Sequence, residues 1–302
     1  QPASAGGLLT YFGRAYRLEI GTGEGGDSLI YASQGLADPL QVEFMVDQTP
    51  NANRAFSEIT VYGLNRDSRQ RIYERGASIL LKAGWQSEAF GQIFAGQINN
   101  IGIGRSGSDQ FLRLYCMSSV DKWQSATLFK TFPSGTEQIE IIRAAAKQFG
   151  LPVEVYGDFS ELPPAINGET IKTDARSALR RLSRDWKFNW YITNGRTFIV
   201  KDDATNPDVE PVAYTPANGI IGTPEITDLG VNIDVLLAPT LAPNDTYTVE
   251  SETGALSVAG VYYQNREFPK TQGESVNRIV SMKHEGDYYG DTWQTSLEGQ
   301  RR

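Results

Sequence analysis

The order of elements between residues 56 and 116 constrains the fold more than any other feature of the chain. An alternating run, Phe56-Ser57-Glu58-Ile59-Thr60-Val61-Tyr62, sends Ile59 and Val61 one way and Thr60 and Tyr62 the other, as on a half-buried strand. A short helix follows, capped by Asn65, carried through Ser68-Arg69-Gln70-Arg71-Ile72-Tyr73-Glu74 and ended at Gly76, because glycine takes the left-handed position at little cost. Next come a strand over residues 78–83, a turn over 84–89 and a longer strand from Gly91 to Ile101. Gly91 and Gly96 bracket Ile93 and Phe94 there, and glycine within a strand marks a bulge, a bend or a close neighbour. Arg105-Ser106-Gly107-Ser108-Asp109 then reverses the chain into Gln110-Phe111-Leu112-Arg113-Leu114-Tyr115-Cys116. One stretch thus supplies four strands and a crossing helix.

The flanking sequence extends this β pattern. Residues 1–15 read as a flexible segment, being small, polar and glycine-rich at the start, with a first strand over 16–20. Over residues 40–46, Leu40, Val42, Phe44 and Val46 point to a core, Gln41 and Glu43 point to water, and Met45 is the exception on the outer side. The middle of the chain reads differently. Val120-Asp121-Lys122-Trp123-Gln124-Ser125-Ala126 resembles an exit helix or linker, and Ser134 with Glu137 has capping-box spacing for a helix that ends at Gly150. That helix repeats apolar side chains at Ile139, Ile142, Ala146 and Phe149. Asp174 caps a second helix with Ala175, Leu179, Leu182 and Trp186 on one stripe, and Asn194-Gly195 joins two strands as a hairpin. Beyond a linker over 202–216, short apolar runs at 219–225, 231–237 and 246–250 precede a final strand pair, 278–284 and 293–297. Gly286 and Asp287 lie in the connection between those two. The expected fold is mainly β with an α+β insertion: antiparallel barrel-like tube domains at 16–116 and 205–302, flanking a linker helix and a small α+β domain at 117–204.

Composition limits function. Thirty-six acidic against 28 basic residues leave a formal charge of −8, which argues against a general nucleic-acid binder. Arg176, Arg180, Arg181 and Arg184 form the one modest basic group. A single cysteine, Cys116, makes no internal disulfide and reads as a core residue. No run reaches the roughly 18 apolar residues that a membrane helix needs. His284 with Glu285, Asp287 and Asp291 is the one concentration of ligand-type side chains around the single histidine, and a strand end with an Asp287-ordered turn accounts for it. Adjacent Asp202 and Asp203 fit a solvated linker rather than a glycosidase pair. The glycines at 21, 23, 25 and 26 lack the Gly-Lys-Ser/Thr of a phosphate loop. No catalytic, metal or cofactor residue emerges, and no cofactor is expected.

A resemblance adds to this reading. The ordered set Gly76, Gly91, Ile93, Phe94, Gly96, Ile98, Arg105, Gly107, Asp109 and Cys116 resembles the baseplate hub proteins of contractile-tailed bacteriophages, related to the amino-terminal part of type VI secretion spike proteins. Gly222-Thr223-Pro224, the strand after it, Leu237-x-Pro239-x-Leu241, and His284, Gly286, Asp287, Gly290 and Trp293 match the carboxy-terminal half of the same pattern. The resemblance implies a structural homotrimer that adapts a six-fold tail tube to a three-fold central spike around an axial channel for DNA. Its implied partners are the tail tube protein, the spike, the tape-measure protein and other baseplate proteins. Its place would be the virion, after assembly in the host cytoplasm. The alternative is a β-rich carbohydrate- or protein-binding module using Trp85, Trp123, Tyr262, Tyr263, Tyr288, Tyr289 and Trp293; a cell-wall hydrolase component ranks third.

Overall fold

The computed structural model describes residues 13–21, 28–35, 38–49, 54–73, 78–87, 89–107, 109–118, 120–202, 204–227, 229–250, 257–258 and 276–302. The first third holds β1 (Arg14–Gly21), β2 (Ser28–Ala32), β3 (Val42–Asp47), β4 (Phe56–Tyr62), helix α1 (Arg66–Ile72), β5 (Ser78–Trp85), β6 (Phe90–Ser106) and β7 (Asp109–Met117). The middle holds α2 (Val120–Ser125), β8 (Thr127–Phe132), α3 (Gln138–Ala146), β9 (Val153–Tyr156), β10 (Glu169–Asp174), α4 (Ala175–Trp186), β11 (Phe188–Thr193) and β12 (Arg196–Lys201). The last third holds β13 (Val212–Tyr214), β14 (Ile220–Ile226), β15 (Val231–Leu236), β16 (Thr246–Val249), β17 (Ser257–Val258), β18 (Asn277–Asp287) and β19 (Trp293–Arg301). The protein is mainly β with an α+β insertion.

The first and last thirds share one sheet, in the order β17-β14-β15-β19-β18-β3-β4-β7-β6-β5-β1-β2, with β16 on β18 and β13 on β16. The join is the β18–β3 ladder, from Lys283 opposite Asp47 to Asp287 opposite Glu43. Strand β18 is long enough to hold two partners on one edge: its start pairs with β16 at Asn277 and Arg278, and its end pairs with β3. The pairings of this large sheet are antiparallel except β13 with β16 and β14 with β17. The insertion carries a three-stranded sheet, β11-β12-β9, and a two-stranded one, β10-β8.

Three main cores form under these sheets. The first gathers Leu18, Ile59, Phe94 and Leu114, and draws in Leu237 and Trp293 from the last third. The second, in the insertion, gathers Leu128, Ile142, Leu179 and Trp190. The third gathers Ile233, Tyr247, Met282 and Leu297.

Several expectations are corrected locally. Arg14 and Ala15 belong to β1 rather than to a flexible start, because they pair with Trp85 and Gly84. The Arg14 guanidinium also donates to the carbonyls of Asp287 (2.8 Å) and Asp291 (3.0 Å). Helix α1 has Asn65 as its cap, accepting from the Ser68 N–H, but ends at Ile72, and Gly76 lies outside the described residues. Strand β6 continues to Ser106 opposite Asp109, so Asp109 opens β7 instead of lying in the turn, and Gly107 alone of the described turn residues has positive φ. The Ser134–Glu137 capping box does not form. Glu137 is itself the N-cap of α3 without a side-chain bond, and the Ser134 hydroxyl donates to the Ile166 carbonyl, because the 133–136 loop is tied to 165–166. Asp174 does cap α4, accepting from the Ser177 N–H at 2.9 Å. Asn194 and Gly195, at φ 48° and 73°, make a two-residue hairpin turn in which both central residues are left-handed.

Candidate assembly surface

Alternation gives the large sheet a core side and an outer side, and the ladder registers show that the outer side is continuous. Asp234, Ser296, Lys283, Asp47, Phe56, Met117 and Gln97 stand opposite one another in turn across β15, β19, β18, β3, β4, β7 and β6. Carboxylates outnumber cations on this side: Glu225, Asp234, Glu298, Glu285, Asp287, Glu43, Asp47 and Glu58 against Lys283, Arg278 and Arg113. Lys283 is paired with Glu285 (2.5 Å) and Arg113 with Glu58 (3.1 Å), so the remaining acids keep the face negative. Arg180, Arg181 and Arg184 lie elsewhere, exposed on α4, and Arg176 stands near the Trp123 ring at 5.5 Å.

The core side carries a matching row: Val235, Thr295, His284, Val46, Ser57, Cys116 and Ile98. His284 and Cys116 are thus three strand spacings apart, on the order of 14 Å, too far for a thiol–imidazole pair. His284 is wholly buried within β18 rather than at a strand end, and burial alone lowers its pKa to about 4. Its Nδ1 lies 2.8 Å from Thr295 Oγ1. That oxygen also accepts from the Ala238 N–H at 3.0 Å, so Thr295 links the ring to the backbone of the segment after β15. Burial pushes the Cys116 thiol up, the opposite of what a nucleophile needs. Asp287 orders the turn after β18, accepting from the amides of Tyr289 (3.2 Å) and Gly290 (2.9 Å). Gly286 is inside the strand, not in the turn; a Cβ there would strike the Phe44 ring and come within 2.8 Å of Trp293. A Cβ on Gly96 would lie 2.5 Å from the Met117 carbonyl oxygen, and one on Gly91 would touch Pro239 at 3.4 Å. The described residues contain no group of three metal-ligand side chains, and no helix among them is long and apolar enough to cross a membrane. Asp203 and residues 22–27, with three of the four loop glycines, lie outside the described residues.

The family described as Baseplate hub gp41 matches residues 24–263, most of the chain. The chain belongs to that family. It is therefore a structural component of a phage tail baseplate, a part of the virion, and not an enzyme. Solved structures share the fold at very low identity. The tail protein from Neisseria meningitidis MC58 has TM-score 0.60 at 11% identity, over 96% of this chain and 97% of its own. The 43 kDa tail protein of prophage MuSo2 from Shewanella oneidensis has TM-score 0.58 at 10% identity, over 95% and 98%. The E. coli c3393 protein, a type VI secretion component described as structurally similar to T4 tail proteins gp27 and gp5, has TM-score 0.52 at 9% identity, over 94% and 76%. No curated protein sequence matches the chain.

Among the described residues, most of the aromatics named for the carbohydrate-platform alternative are buried or half-buried. Trp85 and Trp293 are core residues, Trp123 and Tyr288 are half-buried, and Tyr262 and Tyr263 lie outside the described residues. Tyr289 is exposed, but its hydroxyl donates to the Pro39 carbonyl at 2.8 Å. The continuous outer face carries no short motif; its signal in the sequence is the imperfect alternation of β3, β4, β7 and β19.

Proposed function

We propose that three copies of this hub subunit form a ring that adapts a six-fold tail tube to a three-fold spike and leaves an axial channel for DNA. In each copy residues 16–116 and 205–302 act as the two tube-like units and residues 117–204 as an outer insertion. The observation that carries the channel is the continuous outer face running from β15 to β6, on which carboxylates outnumber cations. Seven strands about 4.8 Å apart make a wall roughly 34 Å wide, and three such walls enclose a circle roughly 32 Å across between backbones. A negative wall repels phosphates weakly and gains no counterion release, so a duplex slides rather than sticks. Closed cyclic symmetry makes the tube-side and spike-side interfaces repeatable. The tail tube and central spike are the proposed neighbours, with tape-measure and other baseplate proteins beyond them, and assembly takes place in the host cytoplasm before the virion is complete.

Native mass and electron microscopy of the purified protein test this reading. A trimer with a central opening is expected. A monomer at every concentration, or a ring plugged by this chain, would overturn it, as would an axial surface lined continuously by Arg and Lys.

A further inference from the structure

We propose that the insertion carries a docking surface for an acid-bearing protein partner, with Phe129 as its apolar anchor and Lys172, Arg176 and Arg54 as its cationic rim. The inference rests on the reading of this chain as a hub subunit that meets other baseplate proteins, and it gives that contact a place. In the β8–β10 ribbon Phe129 stands opposite Lys172, and the neighbouring pairs on the same face are Thr131 with Thr170 and Thr127 with Asp174. Phe129 is 69% exposed there, and Lys172 beside it is exposed too. A lone exposed phenylalanine signals nothing. Its neighbours give this one a meaning.

From Asp174 the surface runs onto α4 and the seam with the first third of the chain. Asp174 Oδ1 accepts from the Ser177 N–H at 2.9 Å, so it is committed to the helix cap. Arg176 Nε lies 3.5 Å from that same oxygen but makes no hydrogen bond. The Arg176 guanidinium stands 5.5 Å from the centroid of the Trp123 ring, and that of Arg54, just before β4, stands 4.2 Å from it. Both partners of this contact are fixed. Trp123 stacks on Phe149 at 5.9 Å, and the backbone at Arg54 is bridged to Ile192, with the Ala55 N–H donating to the Ile192 carbonyl at 2.9 Å.

Two guanidiniums on one indole leave a local positive excess on a chain whose total charge is −8. Burial first, and then the charge of Arg176, lower the pKa of Arg54, as expected of like charges crowded without a counter-ion. Among the described residues neither Arg54 nor Lys172 forms an ion pair. Carboxylates from a partner would supply the missing counter-ions through charge-assisted hydrogen bonds. Arginine and tryptophan around an aromatic anchor are also the side chains that most often carry binding energy between proteins. A two-fold contact of this face with itself would set cation against cation, and the net negative charge repels a nucleic acid more than a protein segment with a few acids. The chemistry therefore favours a different protein.

Carbodiimide coupling of purified tails that carry this protein tests the surface, because it joins an amine to a carboxylate only at contact distance. Lys172 is expected to couple to an Asp or Glu of another protein. Phe129→Ser and Lys172→Glu, both at exposed positions, should each lower incorporation into tails about tenfold, while the purified variants keep the melting point and native mass of the unaltered protein. Lys172→Arg should lose the cross-link and still incorporate. A Lys172 that an amine reagent labels equally in free protein and in tails would overturn the proposal, as would a cross-link to a second copy or variants that incorporate normally. A variant with altered native mass would assign this face to the contact between copies and overturn it as well. A monomeric hub that still gives the expected cross-link would remove the ring and leave the surface standing.

Discussion

The Trp293 indole N–H donates to the carbonyl of Gly84 at 3.1 Å, across 209 residues of sequence. Beside it the Trp85 indole donates to the carbonyl of Leu237 at 2.9 Å, so each third of the chain sends an indole proton to the backbone of the other. Trp293 also meets Phe44 edge-on at 5.2 Å. Trp293→Ala removes packing and the bond together and should cost about 3–5 kcal/mol. Trp293→Phe keeps most of the packing and should cost about 1–2 kcal/mol. Urea unfolding checks both, and equal losses in the two variants would mean that the hydrogen bond, not the packing, dominates.

His284 should give the fold a pH dependence traceable to one group, since it is the only histidine in the chain. Its folded pKa is lowered to about 4 by burial, against about 6.5 when unfolded. The unfolded chain therefore holds more protons between those values, so stability from this group is complete above about pH 6.5 and is lost as pH falls toward 4. The span is on the order of 3 kcal/mol. In His284→Leu, unfolding free energy should vary distinctly less between pH 7 and 5 than in the unaltered protein. A parallel pH profile in the two proteins would show that carboxylates carry the effect instead.

Gly96 faces Ile79 across the β5–β6 ladder, and its missing Cβ is what lets Met117 and the Phe94 ring close in. The obstacle on one side is backbone, which cannot swing away. Gly96→Val should lower the thermal midpoint clearly, by an amount comparable to overpacking elsewhere in cores, about 1–3 kcal/mol. Gly107→Ala is a contrast: the turn has open space for the side chain, so its cost comes from the left-handed φ of 62° alone. A calorimetric scan in which both variants melt together would remove the proposed role of Gly96.

Cys116 is wholly buried and its thiol is raised by burial, so the native protein should react with a thiol reagent only as fast as it opens. One equivalent should appear on adding denaturant. Rapid native labelling would place Cys116 at an accessible surface and contradict its row between Ser57 and Ile98.

Local chemistry made much of this fold legible. Strand alternation assigned the inner faces of β3, β4 and β7 correctly; Asp174 announced the start of α4, and Asn194-Gly195 announced a hairpin. Strands β8 and β10 escaped because each buries too few side chains to show a period: in β8 only Leu128 and Phe132 turn inward, with three exposed residues between them. Ser134 misled because capping-box spacing says nothing about a competing acceptor 32 residues away at Ile166.

By itself the sequence determined which residues face inward, where the chain turns, and a resemblance to hub proteins spread over both ends. Only the tertiary structure decided that the two ends share a sheet, that Lys283 lies opposite Asp47, that Leu237 enters the first core, and that one outer face runs over seven strands with more carboxylates than cations. The physical reason is that a period of two specifies a side chain's face but not the strand lying beside it. That neighbour is chosen by packing between segments more than two hundred residues apart, and no local pattern records the choice.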